Sequence, residues 1–271
     1  MPPEELVYFL HIPKTAGTSM HGYLEHAFGP QHVSPQLLWD DIVHEDRDRV
    51  RDRWQVIVGH FGGLLPLWLG CWPRVITVLR DPVARALSHI NHVKRDELHP
   101  LHRVAADLSI VEYCEHPQLG KSINNLQSRY LASLSFSSAL TPAPGECAMT
   151  RPPGSVSVRF EDALFSLDEE VDLRKCAMEA LDKMIFVGIC EEFAVSLNAM
   201  SKALGWSPPP PEEVRLNQAP SGQAVLGSLS SGEIDALERH TSVDRAVYDV
   251  ALGILAETCR SLGIVPPEAK G

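Results

Sequence analysis

The stretch from Leu6 to Phe28 constrains the fold more than any other part of the chain. Leu6 to Ile12 is a short apolar run rich in strand formers, and it breaks off into Pro13-Lys14-Thr15-Ala16-Gly17-Thr18-Ser19. Beyond that point Met20, Tyr23, Leu24 and Ala27 recur at helical spacing, with Thr18 or Ser19 suited to cap the helix. A strand feeding a glycine-containing loop and then a helix turns several backbone N–H groups, and the positive end of the helix dipole, toward the space beyond the strand. Lys14 adds a point charge there, and Thr15, Thr18 and Ser19 add hydroxyl donors. Phosphate or sulfate is the natural guest. The string departs from the phosphate loop GxxxxGK[ST], since its lysine precedes a single glycine, and a generic nucleoside triphosphatase is disfavoured. Taken alone, it also fits a helix N-terminus that carries incidental polar residues.

The rest of the chain alternates strands and helices. Trp54 to Val58 reads as a second buried strand ending at Gly59-His60, and Arg74 to Leu79 as a third. Pro82 then sits where the first turn of a helix tolerates it, and that helix is expected to run to about Arg95. Further helices are expected near Ser109 to Cys114, Ser122 to Leu134, Val171 to Met184, Glu191 to Leu204, Ile234 to His240 and Val243 to Leu262, with a short strand at Ile185 to Ile189. The Ser-, Pro- and Gly-rich stretch 135–157 reads as a long loop, either a lid or simple surface irregularity. The alternation predicts an α/β fold of three layers, with a mostly parallel central sheet flanked by helices, as a single domain over 1–271. In such sheets ligands collect beyond the carboxyl ends of the strands. Three of those ends carry conspicuous polar residues: Lys14 to Ser19, His60, and Arg80-Asp81. They are expected to converge.

Composition narrows the partners. A 44% hydrophobic and 22% charged chain of 271 residues has ample material for a core. Its formal charge of -11 argues against broad attraction to nucleic acid, anionic membrane or a long sulfated polysaccharide. Arg74, Arg80, Arg85, Lys94, Arg95 and Arg103 leave room for a local basic pocket, although Lys94, Arg95 and Arg103 read best as a solvated helix face. No run approaches the roughly 18 to 20 apolar residues that span a bilayer, and Met1-Pro2-Pro3-Glu4-Glu5 lacks a basic leader, so a cytoplasmic location is expected. The six cysteines are scattered without a CxxC pair, which fits reduced thiols and no structural metal.

The string His11-Ile12-Pro13-Lys14-Thr15-Ala16-Gly17-Thr18-Ser19 resembles the 5'-phosphosulfate loop of sulfotransferases that use 3'-phosphoadenosine 5'-phosphosulfate (PAPS). The form is that of the uronyl and heparan-sulfate 2-O-sulfotransferases and their bacterial relatives. Arg80-Asp81-Pro82-Val83-Ala84-Arg85-Ala86-Leu87-Ser88 is similar to the family's 3'-phosphate segment, with an arginine at a strand end and a serine on the following helix. The chemistry agrees: a strand-end arginine chelates phosphate through two N–H groups at once. Weaker resemblance continues through Ser122 to Leu131, Phe186 to Glu192, and Tyr248. Otherwise Arg80 would form an ion pair with Asp81 or Glu161, and Ser88 would be a helix-surface hydroxyl.

The resemblance implies a P-loop-like fold, PAPS as donor, 3'-phosphoadenosine 5'-phosphate (PAP) as product, and no metal. Lys14, Thr15, Ala16, Gly17, Thr18 and Ser19 would hold the 5'-phosphosulfate, Arg80 and Ser88 the 3'-phosphate. His60, in Val58-Gly59-His60-Phe61, looks like the strand-end histidine that serves the family as base, with Lys14 as electrostatic stabiliser. His11, His89 and His92 are rivals for the base, His11 being better placed to brace the loop. The animal glycosaminoglycan enzymes carry a second histidine where this chain has Val58. That difference and the acidic net charge point to a small-molecule, lipid or glycan hydroxyl as acceptor. The competing readings are a P-loop kinase using ATP and magnesium on Asp81, and a noncatalytic nucleotide-binding module.

Overall fold

The computed structural model describes residues 5–139, 170–210 and 225–267. Five strands form one sheet: β1 (Val7–Leu10), β2 (Val33–Leu37), β3 (Val56–Gly59), β4 (Arg74–Leu79) and β5 (Phe186–Ile189), in the order β2-β3-β1-β4-β5. Every pairing is parallel. β1, β3 and β5 are buried at every position, as expected when helices cover both faces of a parallel sheet.

Twelve helices intervene among the described residues. The first seven are α1 (Gly17–Phe28), α2 (Trp39–Ile42), α3 (Arg47–Arg53), α4 (Leu64–Leu69), α5 (Pro82–Arg95), α6 (His102–Ala105) and α7 (Ile110–Glu115). The remainder are α8 (Leu126–Ala139), α9 (Glu170–Lys183), α10 (Phe193–Leu204), α11 (Ser231–His240) and α12 (Ser242–Ser261). None is long and apolar enough to cross a membrane. The main core packs around the sheet, and a second cluster lies under α5, where Val83, Ala86, Leu87, Ile90 and Val93 meet Tyr113, Leu119, Ile123 and Leu237. The expected long loop begins later than 135, because α8 continues to Ala139; its remainder lies outside the described residues. Cys71, Cys114, Cys176, Cys190 and Cys259 form no disulfide among the described residues, and Cys147 is outside them.

Strand β2 carried no sequence signal. Its Pro35 cannot donate to a ladder, so it belongs on a sheet edge, where β2 lies. The register against β3 shifts between Val33 and Gln36, and the hydroxyl of Ser34 accepts the Val58 N–H at 2.9 Å in place of a regular ladder partner.

Helices α8 and α12 cap each other. Asn125 Oδ1 accepts from the backbone N–H groups of Val243 (2.9 Å) and Asp244 (3.2 Å), while Asp244 accepts from Gln127 N (3.2 Å), Ser128 N (2.7 Å) and Ser128 Oγ (2.6 Å). This exchange satisfies helix-end donors on both sides and fixes Gln127 beside the end of β4.

Candidate active site

The three polar strand ends meet. His11, the first residue after β1, gives its carbonyl to the Nδ1–H of His60 at 2.6 Å, and the Lys14 carbonyl accepts from Arg80 Nη1 at 3.1 Å. The carboxyl edge of β1 and its neighbours therefore gathers His60, the Lys14 loop and Arg80.

The loop is built unusually for L-residues. Lys14 has φ 74° and Ala16 has φ 67°, both in the left-handed region, which favours glycine and costs a side-chain-bearing residue about 1–2 kcal/mol. Ala16 is also the N-cap of α1 and supplies no side-chain acceptor. The expected cap from Thr18 or Ser19 is thus corrected: the helix starts at Gly17, so both residues lie inside its first turn, with Thr18 exposed and Ser19 half-buried. The first-turn N–H groups consequently have no capping side chain. Thr15 differs from expectation as well. It is fully buried and its hydroxyl donates to the Ile12 carbonyl at 2.9 Å, so its contribution to an anion is the main-chain N–H.

Gly17 is required by close approach. A Cβ there would lie 1.6 Å from His11 Nε2. The His11 ring stacks on Phe9 at 5.5 Å and tilts against His60 at 4.3 Å. Burial and the neighbouring His60 pull its pKa down to about 3, so it is neutral. These contacts make it the brace of the loop.

His60 follows Gly59, where a Cβ would meet the Phe61 ring and, at 2.7 Å, the Leu37 carbonyl. A carbonyl oxygen only accepts, so the bond to His11 places the proton on Nδ1 and the lone pair on Nε2. Burial holds the imidazole below its ordinary pKa, opposed by that carbonyl. The ring is neutral and basic at Nε2 near neutral pH. Its Nε2 accepts from Gln36 Nε2 at 2.8 Å, a contact sequence reasoning missed because β2 itself was unread. Val58, on the same strand, is buried in the core.

At β4 the Arg80-Asp81 turn is braced from three directions. Gln127 Oε1 accepts the Arg80 N–H at 2.9 Å and Gln127 Nε2 donates to the Arg80 carbonyl at 2.8 Å. Glu191 accepts the Asp81 N–H (3.1 and 3.2 Å) and the Tyr248 hydroxyl (2.9 Å), and lies 3.8 Å from Arg80 Nε. That distance is an ion pair without a hydrogen bond, and the buried Nε has no hydrogen-bond partner. Asp81 Oδ1 caps α5 through the Ala84 N–H and Oδ2 holds Arg245. Arg80 therefore pairs with Glu191 instead of Asp81, and Glu161 lies outside the described residues. The three weaker sequence segments, through Gln127, Glu191 and Tyr248, all converge on this turn.

Ser88 is half-buried on α5, two turns beyond Asp81. One turn before it, Arg85 is completely buried, with a 3.3 Å bond to the Ser122 carbonyl and with Nε and Nη1 unpartnered. Burial lowers its pKa to about 10. His89 is neutral, its pKa lowered to about 2 by burial and by Arg85, and its Nε2 is likewise unpartnered. Lys14 sits below its ordinary pKa through burial and the positive fields of Arg95, Arg80 and Arg85. Arg95 is exposed, as expected of a solvated helix face, and its positive field reaches Lys14 from there.

The arrangement sets an uncapped helix, a lysine and the strand-end Arg80, with Arg85 buried behind them, beside an imidazole in its basic tautomer. No protein-family model matches the chain, and no curated protein matches it.

Proposed function

We propose that this chain is a sulfotransferase that moves the sulfuryl group of PAPS to a hydroxyl of a small-molecule, lipid or glycan acceptor. The observation that carries the proposal is the contact of Arg80 Nη1 with the Lys14 carbonyl, which sets two anion-accepting groups side by side, with the His60 imidazole one strand away. A P-loop-like reading of the fold accords with a loop of this kind between β1 and α1.

The residues fit a donor with phosphate groups at both ends of its nucleoside. The uncapped first turn of α1 and the Lys14 ammonium suit the 5' end. Arg80, whose Nε is ion-paired with Glu191 but makes no hydrogen bond, suits the 3'-phosphate together with Ser88 farther along α5. When bound, PAPS supplies a sulfuryl group joined to a good leaving group, ready for in-line displacement. The chain's own part is positional and electrostatic. His60 Nε2 takes the proton of the acceptor hydroxyl, and the Nδ1–H bond to the His11 carbonyl steadies the imidazolium that results. Lys14 holds positive charge where the donor's charge collects. The kinase reading is weakened by Asp81, whose two carboxylate oxygens are already taken by Ala84 N and Arg245.

Binding of PAP and AMP to Arg80→Ala and Ser88→Ala tests the assignment. PAP affinity should fall about tenfold or more while AMP affinity changes little, since a hydrogen bond to a charged group contributes about 1.5–3 kcal/mol. Equal losses for both nucleotides refute the 3'-phosphate site. Transfer to hydroxyl acceptors should persist in chelator and vanish in His60→Ala. Magnesium dependence would support the kinase, and nucleotide binding without any transfer would support the noncatalytic module.

A further inference from the structure

The lone pair that a base at His60 needs is occupied. Gln36 Nε2 lies 2.8 Å from His60 Nε2, and because the ring's only proton is committed to the His11 carbonyl, this contact is the Gln36 amide donating to the imidazole. Gln36 belongs to the edge strand β2 and is exposed, as are Pro35 before it and Leu38 beyond it, the latter at 59%. The groups facing the ring are His11, at 4.3 Å, with Lys14 and His21 acting on His11 behind it. Among the described residues no carboxylate pairs with His60, so Gln36 is the partner that sets the state of Nε2.

We infer that Gln36 is the acceptor-positioning residue: its amide holds the Nε2 lone pair in the resting chain, and an acceptor hydroxyl enters by replacing that amide. The inference rests on His60 being the base. The exchange is one hydrogen bond for another: the acceptor O–H donates to Nε2, and the released carboxamide turns to the acceptor beside its reacting oxygen. The acceptor accordingly approaches over the exposed edge of β2, on the opposite side of β1 from Arg80 and Ser88. A carboxamide can exchange its partner without leaving a charge unpaired, which a carboxylate at this position could not do.

Two substitutions separate this role from a structural one, with the His60 ring titrated by nitrogen NMR alongside the pH–rate profile. A hydrogen bond donated to the neutral imidazole disfavours the charged form, so Gln36→Ala should raise the His60 pKa by about half a unit to one unit. The acid limb of kcat/KM should move with it, and the acceptor KM should rise about tenfold while PAP affinity stays unchanged. Gln36→Glu places a carboxylate against Nε2 and should raise the pKa by about one to two units, displacing the acid limb of kcat/KM upward by the same amount. An acid limb and acceptor KM unchanged in Gln36→Ala overturn the inference. If the unsubstituted chain sulfates no alcohol, the base assignment fails and this role falls with it. The two failures are distinct, because the ring titration reports the Gln36 contact whether or not transfer occurs.

Discussion

Replacing Gly17 by alanine tests how the loop and the base are coupled. The added Cβ would lie 1.6 Å from His11 Nε2, 2.1 Å from Cε1 and 2.2 Å from Cδ2, whereas ordinary contact begins at 3.4 Å. The ring must therefore retreat by about 2 Å. It has little room to do so, being 6% exposed and held between Phe9 and His60. Overpacking of this kind costs about 1–3 kcal/mol, which for a chain of this size lowers Tm by roughly 2–5 °C. Because the His11 carbonyl orients His60, activity should fall further than stability does. Removing the ring should make room for the methyl group. In a cycle of Gly17→Ala, His11→Ala and the double variant, followed by thermal unfolding, the double loss should be smaller than the sum of the single losses by about 1 kcal/mol or more. Additivity within about 0.5 kcal/mol would refute the steric argument.

Gln127→Ala removes both hydrogen bonds that clamp the Arg80 backbone, and should cost about 1–3 kcal/mol in chemical denaturation while weakening PAP binding. Unchanged PAP affinity would mean that Arg80 keeps its position without the clamp. Acid should destabilise the fold between pH 6.5 and about 3: His11 and His89 have folded pKa values near 3 and 2, below the unfolded 6.5, so the unfolded chain binds more protons there and stability falls as pH falls. Each contributes up to about 1.4 kcal/mol per pH unit, and His89→Leu should reduce that slope by nearly one proton in denaturation series at several pH values. Lys14→Gln removes a charge held below its ordinary pKa by burial and by three arginines, so the unliganded Tm should rise by about a degree or two while the stabilisation given by PAP is lost; a lower unliganded Tm would contradict this.

The buried strands were legible because parallel strands covered on both faces read as unbroken apolar runs, and Arg74 to Leu79 was matched end to end. β2 was illegible for the opposite reason. An edge strand with a proline, a shifted register and two adjacent exposed positions, Pro35 and Gln36, gives neither an apolar run nor a clean period of two. That omission concealed Gln36. Lys14, His60 and Arg80 were legible as polar residues at strand ends, but which element each helix-borne residue faced was not. Thr15 read as a hydroxyl donor to an anion, because sequence spacing does not reveal a carbonyl such as Ile12 O nearby, whereas Arg95 is exposed as a solvated helix face requires. The brace around Arg80-Asp81 joins residues from four distant segments, which only tertiary structure brings together.

Several features at the carboxyl edge of the sheet each lower the stability of the chain on its own. Lys14 and Ala16 adopt left-handed backbone, α1 opens without a side-chain cap, Arg85 is buried with two unpartnered nitrogens, and Lys14 feels three guanidinium groups. Several other helix ends are closed by side chains, Ser109 with Glu112, Ser230 with Glu233, and Asn125 with Asp244, although α4, α6 and α10 also start without a side-chain cap. A bound polyanion would relieve these costs together, since it pairs with the helix-end N–H groups, lowers the mutual repulsion of the cations, and fixes a loop already shaped for it. A ligand present at a hundredfold excess over its Kd returns about 2.7 kcal/mol, comparable to the cost of one or two left-handed residues. On the proposed function, the unfavourable geometry of the free loop is the preorganisation that binding would use.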